Sequence, residues 1–256
     1  MKKKFQNITN KLWSLSAIVL LLIVWQTICS LNLVDSFMLP SPVMVVSALI
    51  KEIPVLAEHS MVTLSEAFAG LAIGITVGFL IAVIMDRYNL LYKAFYPLIV
   101  LTQTVPTVAI APLLVLWFGY EMLPKIILIT ITTFFPITIG LLTGFKSVDK
   151  DSVNLLRAMG ANNRQIFMHI KLPGALPQFF SGLRISASYA VVGAVISEWL
   201  GGFGGLGVYM TRVKKAYSFD KMFAVIILIS IISLLLMKLV DYLHKRLTPW
   251  ERSQNK

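Results

Sequence analysis

Long apolar runs alternate with short polar segments along most of this chain. Six runs reach the roughly 20 mostly apolar residues that an α-helix needs to cross a bilayer. They are residues 12–31, 67–85, 94–120, 126–145, 184–201 and 222–240. The first four contain no charged residue, the fifth begins at Arg184 and carries Glu198, and the sixth carries Lys238. The pattern predicts an all-α integral membrane protein with six transmembrane helices in one domain, residues 1–256.

The distribution of Lys and Arg predicts the orientation of these helices. Six crossings place both termini on the same side of the membrane. If that side is the cytoplasm, sixteen Lys and Arg residues lie inside and six lie outside. This bias agrees with the positive-inside rule. We therefore expect cytoplasmic termini and a cytoplasmic segment at residues 146–182.

Composition excludes several other classes of protein. Hydrophobic residues make up 57% of the chain and charged residues 14%, and the mean hydropathy is +0.79. The net charge of +11 is spread over many short segments, unlike the basic stripe of a nucleic-acid-binding protein. The three His and one Cys do not cluster at metal-ligand spacing, and the sequence has no Walker phosphate loop. We expect no catalytic residue, metal or cofactor on this chain, and interpret the glycine-rich segment 201–205 as a flexible outer loop or gate.

Prolines interrupt the third predicted span. Pro97, Pro106 and Pro112 lie within residues 94–120, and Gln103 and Thr104 stand beside Pro106. Proline removes a backbone donor and kinks a helix, and broken helices of this kind line pathways in many transporters. Prolines are also generally commoner in membrane helices than in soluble ones. Both interpretations stay open.

The polar segment between the fourth and fifth spans predicts two short helices. Asp149, Asp151 or Ser152 can cap the first, and Gly160 suits a left-handed helix end. One apolar face of this helix is formed by Val153, Leu155, Leu156 and Met159. Asn162 can cap a second helix, which we expect Pro173 to end. The predicted product is a rigid elbow with an exposed apolar face and cationic flanks.

This elbow carries a family resemblance. Gly160 is followed, after nine residues, by Ile170-Lys-Leu-Pro173, which resembles the cytoplasmic loop of permease subunits from binding-protein-dependent ATP-binding cassette (ABC) importers. Asn154-Leu-Leu156 stands where that family has Glu-Ala-Ala. Further strings resemble the branch that imports sulfonates, taurine, nitrate and thiamine-precursor pyrimidines, and look most like the hydroxymethylpyrimidine permeases: Leu39-Pro-Ser-Pro42, Gln103-Thr-Val-Pro106 and Glu198-Trp-Leu-Gly-Gly202.

The resemblance implies a type I ABC importer permease fold in a bacterial inner membrane. In such importers the loop is a coupling helix that docks on the ATPase subunit. The positions that would carry this role are Leu155, Leu156, Arg157, Met159, Gly160, Ala161 and Arg164. The leucines could instead pack against their own loop, and the arginines could bind lipid headgroups.

The resemblance also implies partners and a substrate. The partners are an ATPase dimer that binds ATP and Mg, an extracytoplasmic substrate-binding protein, a second permease copy and membrane lipid, but no nucleic acid. The expected substrate is a hydroxymethylpyrimidine-type heterocycle, and alkyl sulfonate, taurine or nitrate are alternative substrates. A distant alternative for the function is a stand-alone channel or receptor. Side chains that could contact a solute are Gln103, Thr104, Phe134, Tyr189, Glu198 and Trp199. Glu198 could instead lie at the subunit interface or among the outer lipid headgroups, and the aromatic residues could be membrane anchors.

Overall fold

A computed structural model describes residues 2–250, apart from the side chains of residues 2–12, 14 and 15. Several cations that support the predicted orientation have side chains outside the described residues: Lys2, Lys3, Lys4, Lys11, Arg252 and Lys256. All regular secondary structure in the described part is helical. This confirms the predicted all-α class.

The elements follow one another with short connections. They are α1 Lys2–Ser30, α2 Pro42–Lys51, α3 Ile53–Arg87, α4 Asn89–Thr102, α5 Thr107–Phe118, α6 Met122–Ser147, α7 Lys150–Ala158, α8 Asn163–Ile166, a π-helical turn Phe167–Lys171, α9 Leu172–Leu200, α10 Leu206–Lys215 and α11 Phe219–Leu247.

Four helical stretches are long and apolar enough to cross a membrane. They are Ile53–Arg87, Met122–Ser147, the continuous stretch Asn163–Leu200 and Phe219–Leu247. The pair α4 and α5 adds a fifth if it is counted as one bent span. The described apolar part of α1, Ser16–Ser30, is shorter than these. Six crossings and cytoplasmic termini therefore stay predictions.

The chain divides into two compact units, with boundaries after Glu58, Val208 and Leu228. In the first unit, Val45 and Ala48 of α2 pack with Ala224 of α11. Glu52 accepts hydrogen bonds from the Lys221 ammonium at 2.5 Å and from the Tyr209 hydroxyl at 3.1 Å. The bond from Lys221 lowers the pKa of the Glu52 carboxyl.

The core of the second unit is the close packing of α6 on α9. A Cβ atom on Gly140 would lie 2.6 Å from the Gln178 carbonyl oxygen, and one on Gly144 would lie 2.6 Å from the Ala175 Cα atom. Small residues matter here because lipid is as apolar as the side chains, so helices associate through close van der Waals packing and hydrogen bonds. Ser186 adds a hydrogen bond from its hydroxyl to the Thr133 carbonyl at 2.7 Å.

Helix α3 packs against α6 through a second set of glycines. Gly70, Gly74 and Gly78 follow one another at four-residue spacing and contact α6 where a Cβ atom would overlap it. Thr130 and Thr138 of α6 donate to the carbonyls of Gly70 and Gly78, each at 3.3 Å. Helices α3, α6 and α9 therefore form one tightly packed group.

The third predicted span is interrupted at Pro106, as its prolines indicate. Helices α4 and α5 meet at 95° across residues 103–106. Pro97 and Pro112 lie inside α4 and α5 without ending them. The break leaves a stretch of non-helical backbone between two apolar helices.

The expectation that Pro173 ends a helix is wrong. The chain stays helical from Asn163 to Leu200, and Pro173 lies in the first turn of α9. A π-helical turn, Phe167–Lys171, precedes it, and the Leu172 N–H bonds to the Phe167 carbonyl. A π turn holds one extra residue, and proline is tolerated in a first turn because its missing N–H needs no partner there. The predicted loop 146–182 is consequently mostly helix.

The glycine contacts between α6 and α9 predict a stability difference between two matched variants. Gly144→Ala places a methyl group against the Ala175 backbone, whereas a Cβ on Gly193 meets its nearest atom at 3.4 Å. Overpacking should lower the stability of Gly144→Ala by about 1–3 kcal/mol. Gly193→Ala should be neutral or stabilising. Thermal unfolding in detergent measures both, and equal midpoints would contradict the packing argument.

Candidate functional site

A cavity of about 280 Å³ lies where the break between α4 and α5 faces α6 and α9. Its polar lining comes from Thr102, Gln103, Thr107, Thr132 and Tyr189. Its apolar and glycine lining comes from Val105, Pro106, Ile110, Ile131, Val192, Gly193 and Ile196. None of these described lining residues carries a charge.

Several polar groups of the cavity are available to a solute. The hydroxyls of Thr102 and Thr132 donate to carbonyls of their own helices, Ile99 at 2.6 Å and Ile129 at 2.9 Å. The Gln103 amide, the Thr107 hydroxyl and the Tyr189 hydroxyl line the cavity without a side-chain hydrogen bond among the described residues. The cavity therefore offers neutral donors and acceptors beside apolar walls.

The structure brings together only part of the predicted pathway set. Gln103 and Tyr189 line the cavity. Thr104 lies in the α4–α5 break, where its hydroxyl donates to the Leu101 carbonyl at 2.8 Å. Phe134 is half-buried on α6 and Trp199 is exposed near the end of α9. The residues that line this cavity do not include Thr104, Phe134, Trp199 or Glu198.

Glu198 lies instead in a buried hydrogen-bonded cluster. Its side chain is 1% exposed. One carboxylate oxygen accepts from the Thr63 hydroxyl at 2.8 Å and the other from the Gly207 N–H at 2.6 Å. The Leu206 N–H donates to the Thr63 oxygen at 2.8 Å, and the Gly205 N–H donates to His59 Nδ1 at 3.0 Å. These bonds satisfy the first backbone donors of α10, which have no partner within the helix.

A buried ion pair completes this cluster. The Lys125 ammonium lies 2.6 Å from Glu66, and their side chains are 6% and 4% exposed. Both also interact electrostatically with Glu198. We call these five residues, His59, Thr63, Glu66, Lys125 and Glu198, the polar latch. It joins α3, α6 and α9 to the start of α10, and Gly205 at the end of the glycine-rich segment 201–205 donates to His59. The flexible outer loop or gate expected for this segment stays a prediction.

Sequence reasoning missed four latch residues. Glu66 and Lys125 stand immediately before the uncharged runs 67–85 and 126–145, so they mark the ends of the predicted spans. Helices α3 and α6 extend beyond these charges. The available signal was two charged residues next to apolar runs and a third, Glu198, inside one, because buried charges need partners.

The structure ends α8 at Ile166, before the π-helical turn, so the elbow is defined as residues 149–166 only. This segment has the predicted caps and turn. Asp149 caps α7 by accepting from the N–H groups of Asp151 at 3.1 Å and Ser152 at 3.0 Å. The Ser152 hydroxyl, at 2.7 Å, lowers the pKa of the Asp149 carboxyl most. Gly160 has φ of +85°. Bonds from Gly160 to the Arg157 carbonyl and from Ala161 to the Leu156 carbonyl, both 2.9 Å, form a Schellman motif.

The second elbow helix is fixed by a capping box. The Gln165 N–H donates to Asn162 at 2.9 Å, and the Asn162 N–H donates to Gln165 at 2.8 Å. Reciprocal bonds of this kind satisfy two helix-end donors at once. Both short helices of the elbow therefore have locally determined ends.

The elbow leaves part of its apolar surface uncovered. Leu155 is 64% exposed and Met159 is 75% exposed. Leu156 and Ala161 are half-buried, whereas Arg157 and Arg164 are exposed. Neither guanidinium forms a salt bridge with a described acidic side chain. Of the predicted apolar contacts, Leu155 and Met159 are the side chains most available to a partner.

The sequence of this chain is similar to those of known membrane transport proteins. Residues 74–249 match the family described as binding-protein-dependent transport system inner membrane component. The formylaminopyrimidine transport permease protein ThiX of Halalkalibacterium halodurans is 34% identical over 99% of this chain and 100% of its own length. The taurine transport system permease protein TauC of Escherichia coli is 30% identical, covering 93% of this chain and 89% of its own.

Solved structures share the fold. A chain of the MetNI methionine ABC transporter, in inward-facing conformations, superimposes with a TM-score of 0.69. The match covers 77% of this chain and 98% of that one at 20% identity. At this identity the likeness shows the fold alone.

The polar latch predicts that Thr63 supports the start of α10. Thr63→Val removes the hydroxyl that bonds to Glu198 and Leu206, and unsatisfied buried groups should cost about 1–3 kcal/mol. Hydrogen exchange at the Leu206 and Gly207 amides should speed up, with a lower thermal midpoint. Thr76→Val on the same helix removes one exposed bond to the Ala72 carbonyl and should change neither. If the two variants show the same exchange rates and the same thermal midpoint, Thr63 does not support the start of α10.

Proposed function

Because this chain belongs to the family of binding-protein-dependent transport system inner membrane components, we propose that it moves an uncharged, pyrimidine-type heterocycle into the cytoplasm. It is the permease subunit of an ABC importer in a bacterial inner membrane. The subunit is not an enzyme, and ATP hydrolysis belongs to a partner ATPase. Its work is therefore conformational.

The neutral lining of the cavity carries the substrate proposal. Gln103, Thr107 and Tyr189 supply hydrogen-bonding groups to a cavity whose described lining is uncharged. A small heterocycle can use an amide and hydroxyls as donors and acceptors while its ring lies against apolar walls. A sulfonate or nitrate would lose its hydration there without a cation to replace it. The relative named as a formylaminopyrimidine permease supports the same class.

Anionic substrates are the second candidate, on the strength of other relatives. Two are named as sulfonate and taurine permeases, each 30% identical to this chain. Their identity to this chain is only slightly lower than the 34% of the formylaminopyrimidine permease, so identity alone does not decide between the two substrate classes. The charge of the cavity lining is the physical difference that favours the pyrimidine.

The elbow is proposed as the docking element for the ATPase. Leu155 and Met159 present apolar side chains on an otherwise polar segment, and exposed apolar groups with a polar rim mark interaction sites. Exposed Arg157 and Arg164 can pair with acidic groups on the partner, while Leu156, Gly160 and Ala161 hold the shape of the turn. ATP and Mg would bind on the ATPase, not on this chain. A stand-alone channel or receptor has no use for such an element.

The proposal includes a six-span topology with cytoplasmic termini and one permease domain over residues 1–256. The four long spans, the bent pair and α1 together supply six crossings. The Lys and Arg bias then places the elbow in the cytoplasm. A second copy of this chain would complete the permease, because closed two-fold pairs are the commonest assemblies. A binding protein would deliver the solute from outside, and lipid would cover the remaining apolar surface.

The docking role predicts that Met159→Gln weakens association with the ATPase. Burying Met159 and Leu155 should contribute a few kcal/mol at most, so the double glutamine variant should bind roughly 10- to 100-fold more weakly. Co-purification and ATPase titration in detergent measure this. Met61→Gln is a matched control, because Met61 is 74% exposed and lies outside the elbow. Undiminished association of the elbow variants would refute docking there.

The substrate proposal predicts which solute the reconstituted importer accumulates. Proteoliposomes with the ATPase and the binding protein should take up formylaminopyrimidine or hydroxymethylpyrimidine, and not an alkyl sulfonate. Gln103→Leu should reduce pyrimidine uptake roughly tenfold, because one hydrogen bond is lost. Thr104→Val changes a neighbour that does not line the cavity and should have little effect. Uptake of the sulfonate in place of the pyrimidine would overturn the proposal.

A further inference from the structure

We propose that Lys171 and Asp86 form a positioning pair that transmits movement of the elbow to α3. The inference rests on the proposed docking of the elbow to an ATPase. It assigns a role to two residues outside the elbow and outside the cavity lining, at the point where the elbow joins the membrane helices.

The ion pair spans two elements that are distant in sequence. The Lys171 ammonium donates to both carboxylate oxygens of Asp86, each at 2.8 Å. Asp86 is the penultimate residue of α3, and Lys171 ends the π-helical turn that leads into α9. The side chains of Lys171 and Asp86 are 28% and 17% exposed. The contact therefore connects the base of the elbow to the Arg87 end of a membrane helix.

The π-helical turn explains why the pair depends on local helix geometry. One extra residue in a turn rotates everything beyond it by about 100° relative to a regular α-helix. With this turn present, Lys171 reaches Asp86 while Ala175, one turn later, stays against Gly144 of α6. π turns of this kind occur frequently at functional sites.

Two neighbouring contacts hold the same junction. The rings of Phe145 at the end of α6 and Phe167 at the start of the π turn lie 5.5 Å apart. The Lys146 ammonium lies 3.6 Å from the ring centre of Tyr92 on α4, a cation–π contact. The elbow base thus contacts α3 and α6, and α6 in turn contacts α4, all at their ends nearest the elbow.

The energetics favour a role in positioning over one in stability. A partly exposed ion pair contributes little to folding, because solvent screens it and ordering long side chains costs entropy. Such a pair can still bias which of two arrangements a helix end adopts. Coupling between sites needs only contacts that differ between two states.

The test measures solute transported per ATP hydrolysed in proteoliposomes with the ATPase, the binding protein and radiolabelled pyrimidine. Asp86→Asn and Lys171→Met should each lower this ratio roughly fivefold or more, the range of a typical coupling free energy. Binding of the ATPase to the detergent-solubilised permease should stay unchanged, because the elbow surface is intact. The exchanged variant, Asp86→Lys with Lys171→Asp, should recover most of the ratio.

A second ion pair provides the control. Arg184 of α9 pairs with Asp241 of α11, so Asp241→Asn breaks an interhelical pair that does not involve the elbow base. It should leave the transport ratio near that of the unmodified protein. An unchanged ratio in Asp86→Asn and Lys171→Met would overturn the proposal. So would an exchanged variant no better than the single ones, since that result indicates packing and not charge.

The outcomes also separate this inference from the docking proposal. If Met159→Gln and Leu155→Gln do not affect ATPase association, docking at the elbow fails and the ion pair loses its assigned role. If those variants weaken association while the ion-pair variants keep full coupling, only the present inference fails. The two results come from different measurements: association with the ATPase in detergent, and transport per ATP hydrolysed in proteoliposomes.

Discussion

The rest of the second unit depends on one constraint, the close packing of α9 onto α6. Together with α8 and the π-helical turn, α9 forms one long helix. From Asn163 to Leu200 the chain is helical without a break, and glycines at the α6–α9 contact let the backbones approach each other. In lipid the hydrophobic effect does not hold helices together, so such contacts and the hydrogen bond from Ser186 to Thr133 fix the pair. At 1.5 Å per residue this helix is roughly 55 Å long.

That single helix carries parts of all three functional features. Its first residues form the second half of the elbow, its middle supplies Tyr189 and Gly193 to the cavity, and Glu198 near its end holds the polar latch. A displacement of the elbow would therefore reach the cavity wall directly. The subunit needs no chemistry of its own in such a mechanism, because its packing transmits work done by another subunit.

Local signals in the sequence predicted local structure well. Asp149, Gly160 and Asn162 act where their capping and turn preferences place them, and Pro106 breaks the third span. The prediction that Pro173 ends a helix was wrong, because Pro173 lies in the first turn of α9, directly after the π-helical turn. No pattern of single residues indicated that turn. The polar latch was harder to predict for another reason. Charged residues at apolar runs indicated that buried partners exist, but Thr63 and Glu198 are 135 residues apart, and neither local segment specifies which residues pair. The cavity likewise depends on how α4, α5, α6 and α9 pack.

Because the chain is helical without a break from Asn163 to Leu200, we expect the elbow and the cavity wall to move as one body during the ATP cycle. Spin labels at positions 163 and 199, both exposed and neither among the proposed docking residues, would report it by pulsed dipolar spectroscopy in the assembled importer, with Cys29 replaced and singly labelled protein as the control for distances between copies. Movement as one body should give one narrow distance distribution that is the same without nucleotide and with ATP trapped. A shift of several ångströms, or a second population with ATP, would show that the helix bends between the two labels and does not move as one body.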